Sequence, residues 1–373
     1  MELNLIFNYI GVFVSSFLAF LLLTKKGTSK SDNILTIWLM VIGFHLFLYA
    51  AFVTKIIFQI PFLLGFNLIF PFLHGPLLFL YIISLTKKQK LTLKVILYHF
   101  ILPLLVLLMY SNFFVLSTKE KIQVFEMEGQ GYETIIFLSD IFLTFSGIFY
   151  FIYNFKLLNE HRKNISSQFS YDKKVNLNWL RILIYMMGII WFLIIFKQSD
   201  YWIFGMSTFY VVCLGYFGIK QMDIFSNSNL KISKKTTESE FELVVTDSPV
   251  KKYAKSGLND KFADVIHQNL NQVMKQQKLF KEPELTLDEL SKTLEVPSNY
   301  LSQVINEKEG INFYDYINAL RIEEFKRIVV LKQNKNFTII SLAYECGFNS
   351  KTSFNRVFKK STGLTPSQFL KKS

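Results

Sequence analysis

Two rhythms of apolar residues divide this chain. As far as Phe217, apolar residues come in long blocks: Leu3–Leu23, Ile34–Val53, Pro61–Leu85, Val95–Leu116, Ile135–Leu157, Leu180–Phe196 and Tyr201–Phe217. Each approaches the roughly 20 residues that a helix needs to cross about 30 Å of hydrocarbon. No basic stretch precedes the first block and no small-residue cleavage site follows it, so it reads as a span and not as a cleaved signal peptide. From Leu258 the rhythm changes. Phe262, Val265, Ile266, Leu270 and Val273 recur at three- and four-residue steps, the mark of one apolar helix face. The pattern predicts an all-α protein: a polytopic membrane domain of seven helices over 1–226, a flexible cytoplasmic linker over 227–257, and a soluble helical module over 258–373.

Charge then orients the blocks. The first connection carries Lys25, Lys26 and Lys30, the second only Lys55, the third Lys87, Lys88, Lys90 and Lys94. The fourth sets Lys119 and Lys121 against Glu120, Glu126, Glu128 and Glu133; the fifth, Lys156 to Arg181, is again basic, and the sixth nearly neutral. Lys and Arg favour the cytoplasmic side. The alternation places odd connections and the C-terminus inside and the N-terminus outside. An even number of crossings breaks the alternation.

A few polar groups interrupt the spans. His99 and Asp140 lie near block ends, within reach of the interface. His45 lies within a block, and His74 sits deep in "IFPFLHGPLLFLY". Pro71 and Pro76 should kink that helix and free carbonyls for a nearby donor. His74 therefore reads either as a structural hydrogen-bonding group or as a sensing residue, since ionisable groups inside a membrane are costly and often functional. Cys213 and Cys346, the two cysteines, offer neither a disulfide framework nor metal-ligand spacing. No cofactor and no metal are expected.

The segment 227–257 mixes Ser, Thr, Asn and both signs of charge and reads as a tether. About 30 such residues span about 30 Å on average. Beyond it, "LTLDELSKTLEVPSNYLSQVINEKEG" predicts two short helices. Thr286 and Glu289 form a capping box at the first start, a break falls at Glu295–Val296, and Pro297 or Ser298 opens the second. Leu301, Val304 and Ile305 face inward; Ser298, Asn299, Ser302 and Gln303 are expected on the outer face. "FTIISLAYECGFNSKTSFNRVFKKSTG" repeats the design: Thr338 caps a helix, Gly347 ends it in a left-handed conformation, and Ser350 caps the next. Phe354, Val357 and Phe358 form the inner face of that helix, with Lys351, Thr352, Asn355, Arg356 and Lys359 on the other. Two helices about a tight turn form a helix-turn-helix, whose second helix enters the DNA major groove. The two units are expected over about 285–306 and about 338–360, joined by a connector helix over about 312–333. At 1.5 Å per residue the connector measures about 30 Å, against about 34 Å for one turn of DNA. It could therefore hold two reading helices in successive major grooves.

The second unit resembles the signature of the AraC/XylS-type bacterial transcription regulators. The residues that carry the likeness are Ala343, Gly347, Phe348, Ser350, Ser353, Phe354, Arg356, Phe358, Lys359, Lys360, Gly363, Thr365 and Pro366. The resemblance covers about 285–372. It departs at the end, where the family usually has a Tyr-Arg pair and this chain has Phe369 and Leu370. Several membrane helices followed by such a module also resemble a group of Bacteroidetes-type regulators. The resemblance implies a DNA-binding regulator without enzymatic activity.

The residue chemistry agrees. Arg356 suits guanine O6 and N7, Asn355 suits adenine N6 and N7, and Lys351 and Lys359 suit phosphate. From Phe337 onward six Lys or Arg face one acid, Glu345, as expected opposite phosphates. The first unit's outer face carries no positive charge, so the second unit should supply more of the salt-dependent affinity and the first should tune sequence choice. Arg321, beside Glu323 and Glu324, reads either as an ion-pair partner within the module or as a phosphate contact. The expected partners are double-stranded DNA, the lipid bilayer and an unidentified signal or ligand; a homodimer is compatible but not required, because tandem reading helices let one chain bind. The competing class is a membrane receptor or transporter whose cytoplasmic domain binds protein, though a protein dock favours aromatics where Lys351, Thr352, Asn355 and Arg356 stand. There is no P-loop, HExxH or Gly-rich dinucleotide turn to suggest an enzyme.

Overall fold

Helix caps and prolines set where the elements begin and end in this computed structural model, which describes residues 2–86, 92–171, 177–232, 258–334 and 336–372. Among them every regular element is helical, and one isolated antiparallel bridge pairs Phe169 with Thr286. The chain divides into two compact units. The first comprises Met1–His161 and Leu177–Lys234; the second comprises Arg162–Asn176 and Lys235–Ser373.

The first unit contains α1 (Glu2–Thr24), α2 (Lys30–Val53), α3 (Pro71–Thr86), α4 (Leu93–His99), α5 (Ile101–Met109), α6 (Ser111–Phe114), α7 (Thr118–Glu126), most of α8 (Glu133–Gln168), α9 (Asn178–Ile195) and α10 (Asp200–Ile232). Ser29 opens α2 with a full capping box to Asp32, which Lys25 also pairs at 2.8 Å. Helix α1 packs against α2 and α10, and α9 packs against α10. At Gly11 a Cβ would come within 2.7 Å of Leu46 and Thr208, so a hydrogen there lets the helices approach closely. The core centres on Trp38, which is fully buried, with the rings of Tyr81 and Tyr210 at 6.2 and 5.9 Å. The outward surface is also apolar: Phe13, Phe145 and Leu108 are 69, 69 and 63% exposed.

Among the described residues four helices are long and apolar enough to cross a bilayer: Leu5–Thr24, Lys30–Val53, Glu133–Gln168 and Asp200–Gly218. A pair bent by 59°, Pro61–Leu68 with Pro71–Thr86, makes a fifth if counted as one span, and Trp179–Ile195 is apolar but shorter. Length and composition therefore qualify four to five helices, against seven blocks in the sequence. The block Val95–Leu116 differs most, being divided among α4, α5 and α6. Pro103 cannot donate to the carbonyl of His99 and its ring crowds that carbonyl, which accounts for the break at Phe100. Lys87, Lys88 and Lys90 of the third connection lie outside the described residues. So does the expected linker beyond Ile232, while its first residues continue α10.

The second unit contains α11 (Asp260–Gln277), α12 (Leu287–Thr293), α13 (Ser298–Lys308), α14 (Phe313–Val329), α15 (Ile339–Glu345), α16 (Lys351–Thr362) and α17 (Pro366–Lys372). It has two hydrophobic cores, and α14 supplies both. Phe313, Tyr316 and Ile317 join α11, α12 and α13 in one; Ile322, Phe325 and Ile328 join α15 and α16 in the other. Helix α14 has 17 residues, about 25 Å at 1.5 Å per residue, shorter than the expected connector. It stops at a β-branched run, Ile328 to Val330, where the Asn334 amide donates to the Ile328 carbonyl at 2.7 Å.

Candidate nucleic-acid interface

Each reading unit is built from a capped helix, a left-handed turn residue and a second helix. In the first, the Thr286 hydroxyl accepts from the Glu289 amide while Glu289 accepts from the Thr286 amide at 2.9 Å, closing the expected capping box. Glu295 takes the left-handed turn, φ +55°. In the second, Thr338 accepts from the Ser341 amide and Ser350 from the Ser353 amide. Gly347 makes the turn at φ +94°. A Cβ there would stand 2.6 and 2.7 Å from the carbonyl oxygens of Phe280 and Lys281, so close backbone packing as well as φ demands glycine.

Helix α16 turns Ser353, Phe354, Val357 and Phe358 inward and leaves Lys351, Thr352, Asn355, Arg356 and Lys359 exposed. Buried aromatics hold its axis. The Phe354 ring lies 4.7 Å from Phe325 and 5.2 Å from Phe348, and Phe358 lies 5.6 Å from Phe325. Phe369 packs on Phe358 at 5.5 Å. Two residues at the start of α14 steady the basic face. Arg356 donates to the Tyr314 hydroxyl at 2.8 Å, and Lys360 pairs with Asp315 at 2.8 Å. Sequence reasoning missed both partners, because only the crossing of α14 and α16 brings residues over 40 positions apart together.

Helix α13 exposes fewer of its expected residues than α16. Leu301, Val304 and Ile305 are fully buried, as expected. Asn299 is exposed, and Ser298 and Ser302 are half-buried. Gln303 departs from expectation: it is 6% exposed and donates to Glu307 at 3.0 Å. It lies between Leu301 and Val304 on a short helix whose apolar face is wide enough to take it in.

Arg321 matches neither of its expected roles. It is 1% exposed, and its donors reach the carbonyls of Phe280 and Glu282, each at 2.7 Å, together with Ser170 and Asn318. Burial lowers its pKa to about 10, which leaves it charged near neutrality. The ion-pair partner of the basic residues is instead Glu324. This side chain, 7% exposed, meets Arg327 at 2.9 Å, Lys281 at 3.0 Å and Lys278 at 3.1 Å. The hydrogen bonds from Arg327 lead in holding its carboxyl far below the usual range. Burial pushes the Cys346 thiol up to about 12, so it serves as packing and not as a nucleophile.

In the first unit His74 is half-buried, and its Nε2 lies 3.1 Å from Nδ1 of His45, one donating and the other accepting. The two rings stack at 5.4 Å, with Phe70 and Phe204 against His45 at 5.6 and 5.4 Å. The partner of His74 is therefore a second histidine, not a carbonyl freed by proline. His99 meets the Tyr150 hydroxyl at 2.9 Å, and Asp140 meets Lys197 at 3.0 Å. Among the described residues no group of three or more His, Cys, Asp or Glu could hold a metal ion.

Capped helix pairs with a basic, polar second helix define the class as a helix-turn-helix domain. Residues 290–372 match the family model described as "Helix-turn-helix domain". The C-terminal region is accordingly an AraC-type DNA-binding domain, and the relatives it matches are named as regulators, not as enzymes. One is an uncharacterized HTH-type transcriptional regulator of Staphylococcus aureus (strain COL), 34% identical over 100 residues, covering 27% of this chain and 13% of the relative. Another is YtdP of Bacillus subtilis (strain 168), also an uncharacterized HTH-type transcriptional regulator, 31% identical over 88 residues, or 24% of this chain and 11% of the relative. YijO of Escherichia coli (strain K12), likewise an uncharacterized HTH-type transcriptional regulator, is 28% identical over 85 residues, 23% of this chain and 29% of the relative. The alignments thus span only a small part of these relatives. Among solved structures, the C-terminal domain of AraT, a response regulator from Geobacillus stearothermophilus, aligns with 24% identity and a TM-score of 0.26 over 32% of this chain and 89% of that one.

Proposed function

We propose that this chain is a membrane-embedded, sequence-specific transcription regulator. The observation that carries the reading is the exposed face of α16, where Lys351, Thr352, Asn355, Arg356 and Lys359 stand on an aromatic core with Arg356 steadied by Tyr314. Arg356 and Asn355 read base edges. Lys351 and Lys359 contact phosphate. Asn299, Ser298 and Ser302 of α13 add a second, uncharged contact in an adjacent groove.

The N-terminal unit anchors the reader. Large apolar side chains on its outer surface, Phe13, Phe20 and Phe145 among them, favour lipid over water. The seven apolar blocks, with Lys-rich and Lys-poor connections alternating, argue for seven crossings of a bacterial inner membrane, N-terminus outside and DNA-binding domain in the cytoplasm. The His45–His74 pair among Phe70 and Phe204 is the best candidate for a sensing element there. The residues 227–257 tether the reader to the bilayer.

The test uses the full chain in lipid nanodiscs, titrated against a pool of random duplexes with a polyanionic competitor. The expected result is enrichment of a defined sequence and binding that weakens with salt. Equal retention of all duplexes would refute the reading. Labelling of an engineered C-terminal cysteine from the extracytoplasmic side would refute the topology alone.

A further inference from the structure

Between the two cores of the second unit lies a buried polar seam. Along α14, Ile317 still belongs to the first core and Ile322 already to the second. The residues between them include Asn318 and Arg321, 2 and 1% exposed. Arg321 reaches both sides. Its Nε donates to the Phe280 carbonyl at 2.7 Å, and its guanidinium carbon lies 5.9 Å from the ring of Phe348 in the second core.

The seam is completed by residues far away in sequence. Segment Arg162–Asn176 is part of this unit, although its first residues, through Gln168, are the end of α8 and the segment precedes α9 in the chain. Within it Ser170 is 1% exposed. Its carbonyl accepts from Arg321 Nη1 and from the Asn318 amide, both at 3.1 Å. Its hydroxyl donates to the Leu285 carbonyl at 2.6 Å and accepts from Arg321 Nη2 at 3.2 Å. Its own amide donates to Leu285 at 3.2 Å, and Phe169 bridges Thr286, the cap of α12. Removing Ser170 would strip two acceptors from a buried guanidinium, and a buried charge with unmet donors is unfavourable.

We infer that this seam is a receptor site for the segment around Ser170, and that its occupancy fixes the register between the two reading units. Both ends of the segment continue into helices of the N-terminal unit: α8 begins at Glu133 and ends at Gln168, and α9 begins at Asn178. A change in those apolar helices therefore reaches the DNA reader through a second covalent path, independent of 227–257. With Ser170 seated, Leu285 of the first core and α14 share one hydrogen-bonded block. With it withdrawn, the half-domains lose that common fixture, and DNA that needs both reading helices binds less well. This inference rests on the DNA-binding reading above.

The test compares wild type with Ser170→Trp, which is too large for the seam, and Ser170→Ala, which keeps the backbone bonds. All are full chains in nanodiscs. The duplexes are a two-groove site selected by the wild type and a shortened one that keeps contacts to a single reading helix. In the wild type, amides over 165–171 should be protected from hydrogen exchange. Ser170→Trp should unprotect them and weaken two-groove binding about tenfold, with single-groove binding changed less than about twofold, because only linked contacts gain from preorganisation. Ser170→Ala should move both readouts the same way, by about twofold to threefold. Fast wild-type exchange over 165–171 would overturn the inference, as would unprotection without loss of two-groove affinity, or equal loss on both duplexes. Should Ser170→Trp fail to fold, Ser170→Ala decides, and no change in either readout overturns the proposal. A wild type that selects no duplex refutes the DNA-binding reading instead, while the exchange data still report whether the segment is seated.

Discussion

The first reading unit, α12 and α13, and the second, α15 and α16, solve the same folding problem with different residues. Thr286 and Thr338 open them, and Glu295 and Gly347 take the left-handed turn. Leu301, Val304 and Ile305 match Phe354, Val357 and Phe358 as inner faces. Their outer faces do not match. Helix α16 exposes two lysines and an arginine among Lys351, Thr352, Asn355, Arg356 and Lys359, while α13 offers Asn299 and two half-buried serines, with Gln303 turned inward. The backbone design is repeated because caps and apolar spacing suffice to specify it; the chemistry is free to diverge because exposed positions carry none of that specification.

The sharpest way to break this comparison is at the cores. Phe354→Ala removes a fully buried ring with three aromatic neighbours and should cost about 4 kcal/mol in stability. Chemical unfolding of the full chain followed through the C-terminal unit measures it, and a loss under about 1 kcal/mol would mean that the aromatic core does not hold α16.

Turn residues come next. Gly347→Ala should cost about 3 kcal/mol, because an added Cβ meets two carbonyls at an unfavourable φ. An unchanged melting temperature would show that the turn can relax away from Phe280 and Lys281.

Glu324→Gln should cost about 2 kcal/mol at pH 7, since three basic partners lose a charged acceptor. The sign of its pH dependence follows from its lowered pKa. The stabilisation is fully present above the ordinary carboxylate pKa of about 4.5 and fades as pH falls below it toward the folded-state value. Wild type should therefore lose stability between about pH 4.5 and lower pH more steeply than Glu324→Gln. Parallel curves for the two would remove Glu324 from the account.

At the DNA surface, Arg356→Ala should weaken specific binding by about 2 kcal/mol and reduce the salt slope if the guanidinium also neutralises phosphate. Asn299→Ala should leave that slope unchanged. A larger change in slope from Asn299→Ala would reverse the assignment of the two units. The smallest effect has the opposite sign. Glu295→Gly relieves a non-glycine residue held at φ +55° and should stabilise by up to about 1 kcal/mol, readable as a raised melting temperature. A decrease would mean that the Glu295 side chain contributes more than its backbone costs.

Much of this protein follows from the sequence alone, for local reasons. Apolar blocks and three- and four-residue steps marked helices in both units, because helix period acts on consecutive residues, but they gave no sign that Arg162–Asn176, between two blocks, belongs to the second unit. The caps at Thr286, Thr338 and Ser350, the left-handed Gly347, the inner faces of both reading helices and the polar-basic face of α16 were legible for the same reason. Only the tertiary structure decided the rest. The His45–His74 pair, the hold of Tyr314 on Arg356, the burial of Gln303, and the turning of Arg321 away from Glu323 and Glu324 toward carbonyls and Ser170 depend on which elements cross. A buried polar group takes whatever partner packing brings within about 3 Å. Partners separated by 29 to 151 residues leave no periodic trace in the chain.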